Sequence, residues 1–275
     1  MRRHLAYGES MQGLPRTVVV GDVHGHLDKL QELLTRAELI DTSRHWTGGA
    51  STLIFLGDFF NRGPSGTAVV QLVMQLERQA PTQGGRVVAL LGNHDVLTLA
   101  AYRFRDRPGP SPSGSFLADW QANGGVPHDL DTLTAEQVRW LSRRPAMLRL
   151  GPALFVHADS TFYGRHGQSV EGVNASFGDI LHDPDPAVWD RLLDEFAQRD
   201  AFLGPAGIGY LRCFLGRFGG QFLVHGHTPI ARVTGQTPET VHQAYVYAGA
   251  RAINVDHGLP LGGPGFVYEV AQGGT

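Results

Sequence analysis

Three short apolar runs, each followed at once by a glycine and a polar block, constrain the fold of this chain most strongly. The runs cover residues 17–20, 53–56 and 87–91. Four or five such residues without polar alternation are typical of strands buried on both faces. The polar blocks that follow them are GDVHG, GDFFNRG and GNHD. The sequence therefore predicts three polar turns at the carboxyl ends of buried strands.

The segments between these runs have the apolar spacing of helices. Residues 26–38 and 65–78 both repeat apolar side chains every three or four positions. Asp22 and Asp58 are 36 residues apart, and Asp58 and Asn93 are 35 apart, which is the length of a strand–helix–strand unit. Right-handed crossovers bring the ends of such strands to one edge of a sheet. We therefore predict that the three blocks meet there, where open sheets bind their ligands.

Two later segments, LFVHA at 154–158 and HGHTP at 225–229, add histidines to the three blocks. Carboxylate, amide and imidazole groups together suit Mn, Fe, Zn or Co better than Ca, which prefers oxygen ligands alone. We expect two divalent metal ions, with Mn preferred and Asp58 bridging them. The candidate metal ligands are Asp22, His24, Asp58, Asn93, His157 and His227.

The chemistry of such a centre is the hydrolysis of phosphoric esters. Two cations about 3.5–4 Å apart can clamp a phosphoryl group and activate water for in-line attack without a covalent intermediate. Arg62 lies four residues beyond Asp58 and is expected to contact phosphate oxygens with both arms of its guanidinium group. His94, flanked by Asn93 and Asp95, is the candidate acid for the leaving alkoxide, oriented by the Asp95 carboxylate.

The ordered set GD-x-HG, GD-x-x-(D/N)-RG, GNH(D/E), VHA and GHTP resembles the phosphoprotein phosphatase family of calcineurin-like metallophosphoesterases. The resemblance extends over about residues 17–257 and includes the turn DHG near the end. It implies an α/β fold, a four-layer αββα sandwich with a dinuclear metal centre at the strand ends. It also implies the six ligands given above, the acid pair of His94 and Asp95, and Arg62 as a phosphate contact. Because the ligands must converge, we predict one domain over residues 1–275, with substrate-cleft insertions around 104–145 and 159–218.

The resemblance leaves two substrate classes open. The family includes bacterial Ser/Thr phosphatases and symmetrical diadenosine tetraphosphate hydrolases, and GNHD and RGP are more similar to the second group. We favour a Ser/Thr-type phosphoprotein phosphatase, with dinucleoside tetraphosphate hydrolysis as the alternative. Asn61 stands where many protein phosphatases carry Asp, and it is expected to contact substrate or orient His94. Arg212 and Arg217, which precede the strand leading to His227, are candidates for a second phosphate contact.

Two further alternatives follow from the same residues. Phe162, Tyr163 or the pair Phe59–Phe60 would stack on a base if the substrate were a nucleotide, although packing is the favoured interpretation. A non-catalytic phospho-binding protein is a distant alternative, because all six candidate ligands and His94 are present. The match to GHTP favours His227 over the neighbouring His225 as the ligand.

Composition restricts the partners. The net charge is −3 and the pI is near 6.5, so there is no basic footprint for nucleic acid or for a membrane surface. The single cysteine, Cys213, excludes an intrachain disulfide and suits a reducing compartment. No apolar run approaches 18 residues, and residues 1–15 lack the apolar core of a signal peptide. We therefore expect a cytoplasmic protein that acts on a phosphorylated substrate.

Overall fold

Nine strands form the framework of the fold, which is described from a computed structural model for residues 15–107 and 114–271. Residues 1–14 lie outside the described residues, so the expectation about the first segment is not tested. The strands are β1 (Thr17–Val20), β2 (Thr52–Phe55), β3 (Arg86–Ala89), β4 (Met147–Leu150), β5 (Ala153–Val156), β6 (Phe222–His225), β7 (Tyr245–Tyr247), β8 (Ala252–Asn254) and β9 (Tyr268–Val270).

Eleven α-helices occur in the same described part of the chain, with short 3₁₀ turns at Ala80–Gln83, Pro238–Thr240 and Leu259–Leu261. The helices are α1 (Leu27–Arg36), α2 (Gly66–Gln79), α3 (Asn93–Phe104), α4 (Phe116–Ala122), α5 (Pro127–Thr132), α6 (Ala135–Leu141), α7 (Tyr163–His166), α8 (Val170–His182), α9 (Pro186–Phe196), α10 (Gly204–Phe218) and α11 (Ile230–Thr234).

The strands assemble into two sheets whose inner strands are parallel. The first sheet has the order β3-β2-β1-β9, and the second has the order β4-β5-β6-β8-β7. In the first sheet Val20 pairs with Phe55, and Phe55 pairs with Ala89, so β1, β2 and β3 end in register. In the second sheet β5, β6 and β8 are also parallel, with β4 and β7 antiparallel at the edges. The prediction that the first three blocks meet at one sheet edge is therefore confirmed.

The two sheets pack face to face, with helices outside them. Val19 and Ile54 of the first sheet share one buried apolar cluster with Phe155, Val224 and Ile253 of the second. Side chains alternate between the two faces of a strand, so the intervening residues face the helices instead. Burying one side chain as large as phenylalanine contributes about 1.5–3 kcal/mol to folding. The predicted αββα arrangement, with two sheets between outer layers of helices, is therefore confirmed.

The elements follow the sequence pattern closely but end earlier than predicted. The run 87–91 was expected to be a strand, whereas the ladder of β3 stops at Ala89 and the next two residues continue as buried chain. The amphipathic spacing of residues 187–202 predicts a helix over that range, whereas the observed helix spans Pro186–Phe196. Helix α3 was not predicted: it begins inside the third block, with Gly92 as its N-cap. His94 and Asp95 therefore lie on the first turn of α3.

The two predicted insertions contain α4 to α6 and α7 to α10, respectively. The division into a single domain with two insertions stays a prediction. Residues 106–115 (DRPGPSPSGS) have the Pro/Gly/Ser-rich composition that predicts a loop. Most of this segment lies outside the described residues, which resume at residue 114. Across 15–107 and 114–271, none of the helices has the length and apolar character needed to cross a membrane.

Candidate metal centre

Several side chains of the centre are carried on backbone that non-glycine residues seldom adopt. The φ angles are positive at five of them: His24 (48°), Asp58 (55°), Asn61 (70°), Arg62 (70°) and His227 (68°). A Cβ atom collides with the backbone in this region, at a cost of about 1–3 kcal/mol per residue. Such strain persists only where the surrounding fold holds it, and it concentrates at functional sites.

The first group of candidate ligands lies at the ends of β1 and β2. The Nδ1–H of His24 donates to the Phe60 carbonyl at 2.9 Å, which leaves Nε2 free to act as a ligand. That nitrogen lies 3.6 Å from Oδ2 of Asp58 and 4.0 Å from Oδ2 of Asp22. Burial lowers the pKa of His24 to about 4, so the ring is neutral and offers a lone pair. One possible ligand atom from each of His24, Asp58 and His94 lies within 4.8 Å of the others.

The second group joins the two sheets and shares Asp58 with the first. Possible ligand atoms of Asp58, His157 and His227 lie within 4.8 Å of one another. The Nδ1–H of His157 donates to the Leu56 carbonyl at 3.0 Å, and its Nε2 lies 3.0 Å from Oδ1 of Asn93 and 3.4 Å from Oδ2 of Asp58. The Asn93 oxygen also lies 2.9 Å from Nδ1 of His227. These donor atoms come from four separate strand ends.

The second group has the chemistry of a cation site. With its proton on Nδ1, neutral His157 turns a lone pair toward the oxygens of Asn93 and Asp58, an arrangement that only a cation or an added proton stabilises. Burial opposes that proton, but the carboxylates of Asp58 and Asp22 outweigh burial and raise the pKa of His157 to about 9. Among the described residues, the buried Nε2 of His227 has no hydrogen-bond partner. The donor set therefore fits a divalent cation of the Mn, Fe, Zn or Co class.

Asp22 is held against the second sheet by the backbone of the last block. Its two oxygens accept the N–H of His227 at 3.0 and 3.1 Å. Burial, and then the nearby carboxylate of Asp256, raise the pKa of Asp22 well above its usual value. Asp256 belongs to the DHG turn after β8, and burial is the main cause that raises its own pKa to about 6. The turn therefore returns beside the first block, as the resemblance implied.

Arg62 and Asn61 surround His94 on the side of the first group. The two terminal nitrogens of Arg62 lie 2.9 Å from Nε2 of His24 and 2.9 Å from Nε2 of His94. The amide of Asn61 lies 2.9 Å from Nδ1 of His94. The backbone N–H of Arg62 donates to the Gly124 carbonyl at 2.6 Å, so the first predicted insertion holds this arginine in place. Arg62 is itself exposed, and a substrate can reach its guanidinium group.

Asp95 does not pair with His94, which corrects the acid pair expected from the sequence. Its Oδ2 accepts the backbone N–H of Asp58 and of Gly92, each at 2.9 Å, and its Oδ1 accepts that of Phe59 at 2.8 Å. Successive residues on a helix point about 100° apart, so Asp95 turns toward the second block while His94 faces the cluster. Burial and the charge of Asp58 raise the pKa of Asp95 to about 7.

The structure does not bring Arg212 and Arg217 to the cluster. Both are exposed on α10, and the Nη1 of Arg217 donates to the Gly164 carbonyl at 3.2 Å. Within the described residues, neither forms a hydrogen bond or an ion pair with a candidate ligand. Their role as phosphate contacts stays a prediction from sequence.

Arg199, a half-buried residue between α9 and α10, is a further candidate that sequence reasoning did not single out. Its positive charge is the third cause that lowers the pKa of His227, after burial and the charge of His157. No hydrogen bond or ion pair joins Arg199 to any other described residue. Arg199 lies outside every block, so no local pattern distinguishes it from the other arginines of the interval.

The aromatic residues considered for base stacking belong to the core. Phe59, Phe60, Phe162 and Tyr163 are each at most 1% exposed. Phe162 and Tyr163 pack on one another with ring centroids 4.1 Å apart. The idea that these rings stack on a substrate base is therefore wrong, and the packing interpretation holds.

The two remaining histidines near the blocks are buried, with different surroundings. The Nδ1–H of His225 donates to the Gly226 carbonyl at 2.9 Å, and its Nε2 accepts the Tyr247 hydroxyl at 2.8 Å, as expected for a core residue. His257 is 1% exposed, and neither ring nitrogen has a partner among the described residues. From the sequence, His257 is expected to be a surface or loop residue, with lining of the site as the minority alternative, but the DHG turn that carries it is buried.

Residues 15–231, more than half of the chain, match the family model of the calcineurin-like phosphoesterases. The chain belongs to this family. It is 33% identical, over 40% of its length, to Shewanella-like protein phosphatase 2 of Arabidopsis thaliana. It is 38% identical, over 50% of its length, to the symmetrical bis(5'-nucleosyl)-tetraphosphatase of Bordetella pertussis. The matches cover only 28% and 42% of those two proteins, so the chain spans less than half the length of either relative.

The fold of this calcineurin-like phosphoesterase is also found among solved structures. The cold-active protein-tyrosine phosphatase of a psychrophilic Shewanella species superposes with a TM-score of 0.69 at 23% identity. That comparison covers 94% of this chain and 75% of the phosphatase. At this identity the likeness concerns the fold alone.

Proposed function

We propose that this phosphoesterase is a metal-dependent phosphoprotein phosphatase that hydrolyses phosphomonoesters. The observation that carries the proposal is the pair of candidate ligand groups that share Asp58. The first group includes His94, and Arg62 lies beside it. The partial similarity to a protein phosphatase supports the substrate class. All six ligands expected from the blocks are present in the chain, which disfavours a non-catalytic phospho-binding protein.

The residues divide between two cations in this proposal. Asp22, His24 and Asp58 hold the first, and Asp58 with Asn93, His157 and His227 holds the second. When bound, two divalent cations supply Lewis acidity toward the phosphoryl oxygens and activation of the attacking water. Mn is the preferred ion because the set mixes oxygen and imidazole ligands, with Fe, Zn or Co as alternatives.

The chain supplies the remaining steps. The exposed guanidinium group of Arg62 donates two parallel hydrogen bonds to phosphate oxygens, a geometry that a lysine cannot match. Its partner His94 turns Nε2 toward the same space. This nitrogen takes up a proton from water and passes it to the departing oxygen, which returns the ring to its neutral form. Asp95 acts at a distance from the reaction by holding the backbone of Asp58 and Phe59.

A symmetrical dinucleoside tetraphosphatase is the second candidate, since the chain is similar over half its length to such an enzyme. A nucleotide substrate benefits from an exposed aromatic face, because stacking on a base is worth about 1–3 kcal/mol. The four aromatic residues near the blocks are buried, and for this reason we favour the phosphoprotein.

The two candidates are separated by parallel assays of the metal-stripped protein after addition of Mn²⁺. We expect phosphate to be released faster from a phosphoserine peptide than ADP is formed from diadenosine tetraphosphate. Preferential ADP formation would establish the second candidate. No turnover of either substrate with Mn²⁺, Zn²⁺, Fe²⁺ or Co²⁺ would identify a binding protein instead.

Arg199→Ala is expected to weaken substrate binding more than Arg212→Ala or Arg217→Ala. Arg199 lies near His227 and has no partner among the described residues, so its charge is free to bind phosphate. A hydrogen bond to a charged group is worth about 1.5–3 kcal/mol, which corresponds to a rise in KM of roughly 10–100-fold. KM for a phosphoserine peptide is the measurement.

The two α10 variants serve as matched controls, since they remove the same charge from exposed positions. Arg199→Lys should recover part of the affinity, because a lysine keeps the charge without the planar fork. A larger effect at Arg212 or Arg217 than at Arg199 would restore the assignment made from sequence.

We also propose, from its composition, that the protein is cytoplasmic. Cys213 is the single cysteine of the chain, and it is unpaired and exposed on α10. Exposed free thiols are typical of proteins in a reducing compartment.

A further inference from the structure

The backbone turn that carries Arg62 is strained and is held from outside. Asn61 and Arg62 both have a φ angle of 70°, and such strain persists only where the surrounding structure holds it. The backbone N–H of Arg62 donates to the Gly124 carbonyl at 2.6 Å, and that of Ser65 donates to the Gly25 carbonyl at 3.1 Å. Gly124 belongs to the first insertion. The position of Arg62 therefore depends on how firmly this insertion is fixed to the rest of the fold.

Helix α2, which begins four residues after Arg62, lacks a cap of its own. Ser65 occupies the N-cap position, but its side chain accepts no hydrogen bond from the first turn, and that turn contains no acidic residue. The first N–H groups of a helix have no partner within the helix, and a nearby Ser, Thr, Asp or Asn side chain usually accepts from one of them. In α2 the partner has to come from elsewhere in the fold.

Asp129, on α5 of the first insertion, supplies the missing cap. Its side chain is fully buried, and its Oδ1 accepts the backbone N–H of Thr67 at 3.1 Å. Its Oδ2 lies against Gly66, where an added Cβ atom would be 2.6 Å from that oxygen. The glycine thus lets the carboxylate approach the helix start, where the helix dipole favours a negative charge. Asp129 does for α2 what an N-cap residue does for its own helix.

All three polar groups of Thr67 besides bind the first insertion, beginning with the N–H that Asp129 accepts. The Thr132 hydroxyl donates to the His128 carbonyl at 2.7 Å. Because a hydroxyl has one hydrogen, Thr132 must accept from the Thr67 hydroxyl, 3.0 Å away. The Thr67 carbonyl accepts from Nε2 of Gln137 at 2.9 Å. The insertion is therefore bonded to the start of α2 and does not merely pack against it.

The cap and the contact with Arg62 lie on one short segment. Asp129 comes five residues after Gly124, and its N–H donates to the Val126 carbonyl between them at 2.8 Å. Gly124 has a φ angle of 85°, and a Cβ atom there would lie 2.9 Å from Cγ and 3.2 Å from the backbone nitrogen of Arg62. A shift of Asp129 is thus transmitted over a few residues to both the backbone and the side chain of Arg62.

We propose that Asp129 is a positioning residue for Arg62. By capping α2 from the first insertion, it fixes the Gly124 carbonyl at the place where this group holds the strained turn. The contact of Arg62 with phosphate rests on the proposed function. The dependence of the Arg62 backbone on Asp129 does not.

Asp129→Ala is expected to lower kcat/KM for a phosphoserine peptide by roughly 10-fold, because a small displacement of a substrate-binding group is costly. The effect should nearly vanish when Arg62 is absent, since two residues that act through one contact are not additive. In the Arg62→Ala background, Asp129→Ala should therefore change kcat/KM by less than about 2-fold. The same 10-fold loss in both backgrounds would overturn the inference.

Two further variants act as controls for Asp129→Ala. Asp131→Ala removes an exposed carboxylate from the same helix, and we expect it to leave kcat/KM unchanged. Asp129→Asn keeps an oxygen that can accept the Thr67 N–H, and asparagine caps helices about as well as aspartate. It should therefore retain most of the activity. Equal losses in Asp129→Ala and Asp131→Ala would overturn the positioning role.

Gly124→Ala tests the contact itself, in case Asp129→Ala does not fold. The added methyl group would lie 2.9 Å from Cγ of Arg62, so we expect a loss of kcat/KM of the same order that again depends on Arg62. Gly114→Ala is the matched control, because Gly114 also has a positive φ, 88°, but nothing lies within 4 Å of its added Cβ atom. Unchanged kcat/KM in Gly124→Ala would contradict the proposal.

Hydrogen exchange of the Arg62 backbone amide, measured without substrate, separates this inference from the proposed function. We expect exchange to be roughly 10-fold faster in Asp129→Ala than in the wild type, because the local structure that protects the amide opens more often. Asp131→Ala should exchange as the wild type does. If the protein hydrolyses no phosphomonoester, the proposed function fails, while this exchange rate still decides the inference. If it hydrolyses phosphoserine and Asp129→Ala leaves the exchange unchanged, only the inference fails.

Discussion

Asp58→Asn is expected to abolish hydrolysis and to lower the content of bound metal. Asp58 is the residue shared by both candidate ligand groups, and its Oδ2 lies 3.6 Å from Nε2 of His24 and 3.4 Å from Nε2 of His157. An amide keeps the shape of the side chain but removes the charge that holds two cations together. Bound metal is worth several kcal/mol of transition-state stabilisation, so kcat/KM should fall by more than about 10³-fold. The measurements are steady-state kinetics with excess Mn²⁺ and metal analysis of the purified protein.

The matched control is Asp41→Asn. Asp41 is partly exposed and accepts the backbone N–H of Ser43 and of His45, so its loss affects a surface turn and not the cluster. Both variants should keep the circular dichroism spectrum of the wild type. If Asp58→Asn hydrolysed substrate at the wild-type rate with the same metal content, the assignment of the metal ligands would be wrong.

The ligand set could be predicted from sequence because each ligand follows a strand along the chain. Asp22, Asp58 and Asn93 come two to four residues after β1, β2 and β3, and parallel pairing in register places those strand ends together. Once the apolar runs are recognised as strands, parallel pairing predicts that the ligands at their carboxyl ends lie close together. The same reasoning covers His157 and His227, which follow the parallel strands β5 and β6.

Strand geometry does not predict the contacts of His94, and only the contact with Asn61 was among the roles expected from the sequence. Asp95 is the nearest carboxylate in sequence, but its direction depends on where α3 begins, and the first residue of that helix lies inside the block. The residue that meets Nδ1 of His94 is Asn61, 33 positions earlier, on a backbone turn with φ of 70°. Neither the helix start nor a left-handed asparagine has a distinct signal in the sequence.

Helix α10 was missed for a different reason. Its sequence GPAGIGYLRCFLGRF contains four glycines, each of which costs about 1 kcal/mol in a helix relative to alanine. The helix forms because Leu211, Phe214, Leu215 and Phe218 are buried along one face, so tertiary packing overrides local propensity. The sequence analysis placed Arg212 and Arg217 only as preceding the strand that leads to His227, whereas the structure shows them on the exposed face of this helix.

His94→Ala is expected to lower kcat by about 10²–10⁴-fold, the range for loss of a positioned acid, while both metal ions stay bound. The loss should be larger for a phosphoserine peptide than for p-nitrophenyl phosphate, because an alkoxide needs the proton at departure and a nitrophenolate does not. The measurements are kcat for both substrates and metal content. A purely structural role for His94 would lower both rates by the same factor.

The first candidate ligand group makes this experiment decisive, since His94 itself lies within 4.8 Å of ligand atoms of His24 and Asp58. If His94 were a metal ligand, His94→Ala would lose metal and would resemble Asp58→Asn. If His94 is the acid, the metal content is unchanged and the rate falls mainly for the phosphoserine peptide, which has the poor leaving group. His182→Ala is the control, because His182 is exposed and its Nδ1–H donates only to the Gly178 carbonyl within its own helix. The two roles predict opposite results for metal content, so one variant with two substrates distinguishes them.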